Sequence, residues 1–157
     1  MDSDRPEHGH FLLVQLSSNV CAVELSQVVE VMRPLPLVPL AGMPAFVLGL
    51  SIIRGSPVPV VAVARMLNGT DDDVCGRFIT LRIGTKTIAL AVKGVLGVGS
   101  IDRTRLEALP TLLQNANSEA AVLIGTMDSQ LLMALSTSRI LSDDMWHVLL
   151  ERKASPQ

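Results

Sequence analysis

Two stretches of the chain alternate apolar and polar positions in the same way. Leu12, Val14 and Leu16 recur at every second residue, and residues 79–83 repeat that spacing. A period of two is typical of β-strands that turn one face toward a core. In both stretches the alternation resumes after a short run of turn-forming residues. Each stretch therefore predicts a β-hairpin with an inward apolar face.

The two hairpins belong to an internal repeat. Phe78 lies 67 residues after Phe11, and residues 11–32 overlay without a gap on residues 78–99. A repeat of this length that keeps its apolar pattern keeps a core. We therefore expect two copies of one supersecondary unit, related by a pseudo-twofold axis.

Further strand-like segments follow each hairpin. They are predicted at residues 28–32, 46–53 and 58–63 in the first copy, and at 95–101, 122–127 and 131–135 in the second. Roughly five short strands per copy are too few for a sandwich, whereas a small barrel closes on itself and hides its edges. The sequence therefore predicts a mainly β fold of two five-stranded barrels.

The repeat also sets the expected domain boundaries. We place the first barrel at about 11–67, a linker at about 68–76 and the second barrel at about 77–141. Residues 1–10 are polar and are expected to form a flexible N-terminus. Ser142 precedes two acidic residues, and the following segment ends in basic ones, which predicts a short C-terminal helix at about 143–153.

Composition and charge exclude two classes of function. Thirteen Lys and Arg stand against fifteen Asp and Glu, and three Phe, one Trp and no Tyr supply few stacking rings. Nucleic acid is therefore not an expected partner. The apolar segment 45–64 is long enough to raise the question of a membrane span, but Arg54, Pro57 and Pro59 interrupt it. The chain is not expected to be membrane-embedded.

Localisation is predicted from what the first residues and the cysteines are. The first ten residues carry no hydrophobic targeting segment, so we expect a cytoplasmic protein. Cys21 sits at an inward strand position and Cys75 in a loop, and neither has metal or redox spacing around it. This usage agrees with a reducing compartment.

Candidate catalytic and metal-binding residues are few. His8 and His10 lie in the polar N-terminus without further ligands, His147 has no nucleophile beside it, and the acidic run 71–73 does not have the ligand spacing of a calcium loop. No phosphate-binding loop or nucleophile elbow is present. We predict no catalytic residues, no metal site and no cofactor.

The two copies differ most at one hairpin. Residues 49–60 form a longer and more distinctive segment than their counterpart in the second copy. Gly55 can take a positive φ beside the Arg54 guanidinium, and Pro57 and Pro59 stiffen the returning strand while removing two backbone donors. A rigid hairpin with one fixed cation is suited to docking a partner.

A second interpretation of Arg54 is structural. Arg54 then pairs with an acidic residue of a neighbouring strand, and Glu30 is the leading candidate because Val29 and Val31 flank it as expected core residues. The docking and pairing interpretations have similar weight, and both can hold together.

These residues carry a resemblance to a known family. Over about residues 11–151 the chain resembles the bacterial chemotaxis coupling proteins, the CheW-like family. The most specific elements of the match are Pro44-Ala45-Phe46, Gly49, Ile52-Ile53-Arg54-Gly55 and Pro59-Val60.

The resemblance implies two SH3-like five-stranded barrels and a non-catalytic cytoplasmic adaptor. Such an adaptor joins the signalling tip of methyl-accepting chemotaxis receptors to the regulatory domain of a CheA-type histidine kinase, and it is recruited to membrane receptor arrays. By the same resemblance the receptor-facing residues are Val28, Glu30, Gly49, Ile52, Ile53, Arg54 and Gly55.

Departures from the family pattern leave alternatives open. Ala62, Lys93 and Ser136 stand where the family usually has acidic residues, which suggests a paralogue that serves a pathway other than flagellar chemotaxis. A small-ligand-binding barrel with a pocket at the junction of the copies is one alternative. A structural homodimer is another.

Overall fold

The structure is a computed structural model that describes residues 8–17, 19–68, 75–108, 122–127, 130–137 and 140–154. Its strands and helices over these residues, in chain order, are β1 (His8–Gln15), β2 (Val20–Glu24), β3 (Val28–Met32), β4 (Val47–Ile53), β5 (Ser56–Ala62), α1 (Val63–Asn68), β6 (Arg77–Ile83), β7 (Lys86–Val92), β8 (Gly94–Asp102), β9 (Glu107–Ala108), β10 (Val122–Met127), β11 (Gln130–Leu135) and α2 (Asp143–Ala154).

The strands form two sheets, which confirms the mainly β prediction. The first sheet has the hydrogen-bonded order β8-β1-β2-β11-β10-β9, and the second has the order β3-β6-β7-β5-β4. Most pairs are antiparallel, while β11 with β2 and β5 with β7 are parallel. Over the described residues these are open sheets by hydrogen bonding, where closed barrels were expected.

The two sheets exchange hairpins between the copies of the repeat. The first sheet joins the β1–β2 hairpin of the first copy to β8, β10 and β11 of the second, and the second sheet joins β6–β7 to β3, β4 and β5. Barrels at about 11–67 and about 77–141 were therefore wrong in their strand membership. Within each copy the strand pattern is the same whether a hairpin pairs with its own copy or with the other, so the sequence does not distinguish the two arrangements.

The register of the strands obeys the pseudo-twofold. Phe11 lies opposite Gly99 in the pairing of β1 with β8, and Phe78 lies opposite Met32 in the pairing of β6 with β3. Both members of the first pair map onto the second by the same offset of 67 residues, since 78 follows 11 and 99 follows 32 at that distance. Phe11 and Phe78 are thus equivalent, as the repeat predicted.

The edge strands β3 and β8 carry matching bulges. The register slips at Val29 in β3 and at Leu96 in β8, which are again 67 residues apart. A bulge turns its extra residue out of the ladder. Val29 and Leu96 are both exposed for this reason.

The core lies on both faces of the exchanged hairpins. Leu12 and Val14 of β1 pack in a large central cluster with Ile79 of β6, while Leu13 packs with Phe11 in a separate cluster on the opposite face of β1. The expectation of a single inward face was therefore wrong. Because each hairpin sits between the other copy's hairpin and its own barrel partners, both its faces are removed from water.

The C-terminal helix α2 packs on this core, as expected. The Ser142 hydroxyl accepts a hydrogen bond from the Met145 N–H at 3.2 Å and so caps the helix N-terminus. Trp146 and Leu149 are buried in the central cluster. Leu150 was expected on the same face but is exposed, since it lies one further residue, about 100°, around the helix.

The N-terminus is more ordered than predicted. Residues 1–10 were expected to form a flexible tail, yet β1 begins at His8, and its first residues pair with β8 as far as Asp102. Strand β8 is nine residues long and offers backbone partners that extend the pairing. Residues 1–7, the acidic run 71–73 and most of the expected linker lie outside the described residues.

A half-buried ion pair joins the two copies across the first sheet. Arg103, which follows β8, donates from Nη2 to both carboxylate oxygens of Glu24 at 2.9 Å, and from Nε to Oε1 at 3.1 Å. The side chains are only 18% and 17% exposed. The guanidinium also lies over the Phe11 ring, 5.5 Å from its centroid. Gly9 leaves room for it, since a Cβ there would collide with the guanidinium.

Removing this cation should destabilise the fold. Arg103→Met leaves the shielded Glu24 carboxylate without its donor, and we expect the free energy of unfolding to fall by about 1.5–3 kcal/mol in urea denaturation. Gly9→Ala should cost part of that by displacing the guanidinium, and the double variant should cost less than the sum because both changes act on one contact.

The matched control is Arg105→Met. Arg105 lies two residues further along, is 86% exposed and is 3.8 Å from Asp102. Its replacement should leave the unfolding midpoint unchanged. Equal losses for Arg103→Met and Arg105→Met would contradict a stabilising role for the Glu24 pair.

Candidate partner-binding site

The β4–β5 turn places Arg54 at the tip of a tight hairpin. Ile53 pairs with Ser56, which leaves Arg54 and Gly55 as a two-residue turn. Their φ angles are 54° and 81°. Two positive φ values are the mark of a type I′ turn, which matches the twist of the flanking strands. The sequence predicted a positive φ at Gly55, and the structure adds Arg54, a side chain that is held in a conformation normally left to Gly or Asn.

The prolines of β5 occupy positions that need no second donor. Pro57 and Pro59 pair with β4, while the parallel pairing of β5 with β7 begins only at Val60. A proline in a strand is tolerated where its missing N–H faces no partner. The returning strand is thus stiffened without breaking the sheet.

Arg54 and Glu30 form a bidentate ion pair, as the sequence predicted. Arg54 Nε donates to Glu30 Oε2 at 3.0 Å, and Nη2 donates to Oε1 at 2.9 Å. The Arg54 side chain is 78% exposed and that of Glu30 is 26% exposed. The carboxylate therefore acts as a partly covered anchor, and the outer face of the guanidinium remains presented to solvent.

This pair bridges the seam of the second sheet. Strand β3, which carries Glu30, and strand β4, which leads into Arg54, are at opposite edges of the hydrogen-bonded order. Contact between them requires the sheet to curl until its edges approach each other. The ion pair therefore joins two edges that backbone hydrogen bonds leave open.

A buried threonine positions Glu30. The Thr80 hydroxyl accepts a hydrogen bond from the Glu30 N–H at 3.2 Å and donates to the Glu30 carbonyl at 3.4 Å. It replaces the regular ladder beside the bulge at Val29. Sequence reasoning missed Thr80, although a polar residue within the apolar strand of residues 78–83 was a usable signal.

The neighbours of Glu30 are not core residues. Val29 and Val31 were expected to be buried, and both are exposed, because β3 is an edge strand that turns these two side chains to solvent. Glu30 instead lies on the partly covered side of the strand with Val28. The prediction of the ion pair was right, but the reason given for it was wrong.

The ion pair shifts the pKa of both partners. The hydrogen bonds from Arg54, and then its charge, lower the pKa of the Glu30 carboxyl below its ordinary value. The same contacts raise the pKa of the Arg54 guanidinium. Both groups are therefore charged at neutral pH, and the pair persists there.

Gly49 has a structural role beside the hairpin. Its φ is 143°, and a Cβ would collide with the Val38 carbonyl oxygen. That carbonyl accepts a hydrogen bond from the Leu50 N–H at 2.9 Å, and the Val38 N–H donates to the Leu50 carbonyl at 2.8 Å. The loop after β3 thereby covers the free edge of β4.

The other residues of the expected receptor-facing set divide into surface and core. Ile52 and Gly55 are exposed beside Arg54. Ile53 is buried among the core residues of the second sheet, and Val28 is partly buried against the central cluster. The structure thus brings Glu30, Ile52, Arg54 and Gly55 together at the surface, while Gly49, Ile53 and Val28 support them from within.

The described residues offer no chemical site for catalysis or metal binding. No group of three or more His, Cys, Asp or Glu side chains is arranged to hold a metal ion within them. Burial raises the pKa of the Cys21 thiol to about 12, and burial also raises the pKa of Cys75. Neither thiol is a ready nucleophile. No helix in this part of the chain has the length and apolar character needed to cross a bilayer.

Comparison with known proteins decides the family. A model described as the CheW-like domain matches residues 10–145. The chain belongs to the CheW-like domain family. The CheW-like chain is also similar to the crystal structure of the scaffolding protein TtCheW from Thermoanaerobacter tengcongensis, with a TM-score of 0.69 and 19% sequence identity. That likeness covers 82% of this chain and 88% of the other, and it shows the fold.

Membership of the CheW-like family confirms several predictions from the sequence. The chain is a non-catalytic, scaffold-type protein of chemotaxis signalling. Its mainly β, SH3-like two-subdomain fold agrees with the structural likeness, and the sheets depart from the expected closed barrels only in their hydrogen-bonded order.

Gly49→Ala should destabilise the CheW-like chain more than its symmetry-related control. Gly97 has a φ of 141°, but a Cβ there would meet nothing within 4 Å. Gly97→Ala therefore measures the cost of the positive φ, about 1–3 kcal/mol, while Gly49→Ala adds the collision with Val38. Thermal or urea unfolding gives both values. A loss at Gly49 no larger than at Gly97 would refute the close packing.

The titration of Glu30 tests the pair in solution. We expect an NMR-detected carboxyl pKa below the usual value of about 4.3, and a return toward that value in Arg54→Gly, which removes the cation and suits the positive φ. Because the folded-state pKa is lowered, the pair's stabilisation is present above the unfolded pKa and disappears as pH falls through the folded one. A Glu30 pKa unchanged by Arg54→Gly would contradict the pairing.

Proposed function

We propose that this protein is an adaptor that couples methyl-accepting chemoreceptors to a CheA-type histidine kinase. The observation that carries the proposal is the Arg54 hairpin, an exposed cation fixed by Glu30 beside exposed Ile52, in a chain of the CheW-like family. In this proposal the receptor signalling tip docks on Glu30, Ile52, Arg54 and Gly55, and the kinase regulatory domain binds elsewhere on the two subdomains.

Pre-organisation supports the docking role of Arg54. The type I′ turn fixes its backbone, and the bidentate contact with Glu30 fixes its guanidinium. Little side-chain entropy is then lost when a partner binds. The apolar Ile52 side chain beside the cation offers the mixed chemistry that is typical of protein interfaces.

The departures from the family pattern support a specialised pathway. Ala62, Lys93 and Ser136 replace residues that are usually acidic in the family. Lys93 is exposed, so the change alters the surface charge that a partner meets. We propose that the protein serves a receptor or kinase of a pathway other than flagellar chemotaxis, and that it works in the cytoplasm at a membrane receptor array.

Arg54→Glu should weaken binding to the receptor tip without unfolding the protein. The probe is the purified cytoplasmic signalling tip of a methyl-accepting receptor from the same organism, titrated by calorimetry. Reversal of the charge removes the contact and adds repulsion with Glu30 and with any carboxylate of the partner, so we expect Kd to rise roughly 10-fold or more.

A charge swap separates docking from pairing. The double variant Glu30→Arg with Arg54→Glu can re-form the ion pair with reversed polarity. If the receptor reads a cation at the hairpin tip, binding stays weak in the swap; if the pair serves only to hold the hairpin, the swap restores binding. Full affinity in a folded Arg54→Glu variant would remove the hairpin from the receptor interface.

A further inference from the structure

A groove runs from the Arg54 hairpin to the C-terminal helix. It has a volume of about 450 Å³ and is bounded by β3, the β4–β5 hairpin, the β6–β7 turn and α2. We call it the α2 groove. Its apolar lining includes Val29, Ile53, Val58, Trp146 and Leu150. The groove is therefore continuous with the hairpin tip that carries the proposed function.

Charge in the α2 groove is predominantly positive. Its charged lining residues are Glu30, Arg54, Arg82 and Lys86. Glu30 is already bound to Arg54, and over the described part of the chain neither Arg82 nor Lys86 forms an ion pair. The whole chain has a formal net charge of −2, so these cations are segregated from an acidic background. A positive groove of this kind attracts acidic groups.

The two additional cations are held in place. Arg82 Nε donates to the Gly84 carbonyl at 3.3 Å, across the β6–β7 turn. Lys86 Nζ lies over the Trp146 ring, 4.9 Å from its centroid. The cation–π contact ties the turn to α2 while the ammonium still has hydrogen-bond donors to offer. Both cations are thus fixed against the groove before any ligand arrives.

The wall supplied by α2 is specific to this chain. Trp146 and Leu150 are four residues apart and so lie one above the other on the helix face that meets the groove. Both lie after residue 145, where the match to the family model ends. Trp146 is mostly buried, while Leu150 is exposed and has no packing partner that would account for its position.

We propose that the α2 groove binds an amphipathic helix with acidic residues along its flank, contributed by the same partner that docks on Arg54. The inference rests on the proposed function and extends its surface to Arg82, Lys86 and Leu150. Apolar walls with a charged rim suit a helix laid into a groove. An added strand suits it less, because the bulge at Val29 interrupts the ladder on β3.

Charge reversal at Arg82 tests the electrostatic part of the proposal. With the receptor signalling tip as probe, Arg82→Glu should raise Kd roughly 5- to 50-fold and weaken the dependence of binding on salt. Arg77→Glu is the matched control, since Arg77 lies on the same strand, is exposed and also donates to a backbone carbonyl, but does not line the groove. Its Kd should stay within about twofold.

Leu150 and Val148 form a second matched pair, on α2. Both are exposed aliphatic residues, and only Leu150 lines the groove. Leu150→Ser should weaken binding severalfold while Val148→Ser leaves it unchanged, because only the first removes apolar surface that a docked helix would cover. Circular dichroism and unfolding midpoints confirm that all four variants remain folded.

The Arg54→Glu variant distinguishes failure of this inference from failure of the proposed function. If Arg54→Glu loses affinity while Arg82→Glu and Leu150→Ser match their controls, the receptor docks at the hairpin tip and the α2 groove is not part of its site. If Arg82→Glu and Leu150→Ser lose affinity and their controls do not, the groove proposal is supported. If none of the three loses affinity, both proposals fail.

Discussion

The hairpins β1–β2 and β6–β7 are buried on both faces, and the rest of the structure is arranged around that constraint. One face of each forms the central cluster that joins the two copies, and the other face forms the core beneath the opposite copy's remaining strands. Two-sided burial demands near-continuous apolar strands, which the chain supplies. It also fixes the register, because a slip by one residue would exchange two different cores.

The candidate site is a consequence of how the second sheet closes. Its two edge strands approach without backbone hydrogen bonds, and the contact between Glu30 and Arg54 spans the gap. In the first sheet the residue equivalent to Glu30 is Gly97, which has no side chain to offer. The repeat therefore leaves one seam with a charged contact and one without, and the partner chemistry of the two subdomains differs although their backbones are related by symmetry.

The sequence predicted the strands and the ion pair but not how distant segments meet. Alternation and the repeat are local signals, and the Glu30 pairing could be inferred because Arg54 had no counterpart in the second copy. The buried Thr80 and the Glu24–Arg103 pair depend on contacts between the copies, to which no spacing along the chain corresponds. The same holds for the α2 groove. Val29 was misassigned because a bulge reverses the side to which a strand residue points.

The exchange of hairpins has a consequence for the chain as an assembly. A half that ended after α1 would carry β1–β2 without β10–β11, and β3–β5 without β6–β7. Two identical halves would satisfy both needs if each lent its hairpin to the other, which is the geometry of a domain-swapped homodimer. The full-length protein is in this sense a covalently joined dimer, whose two halves have since acquired different surfaces and whose subdomains have no boundary at which they can be separated.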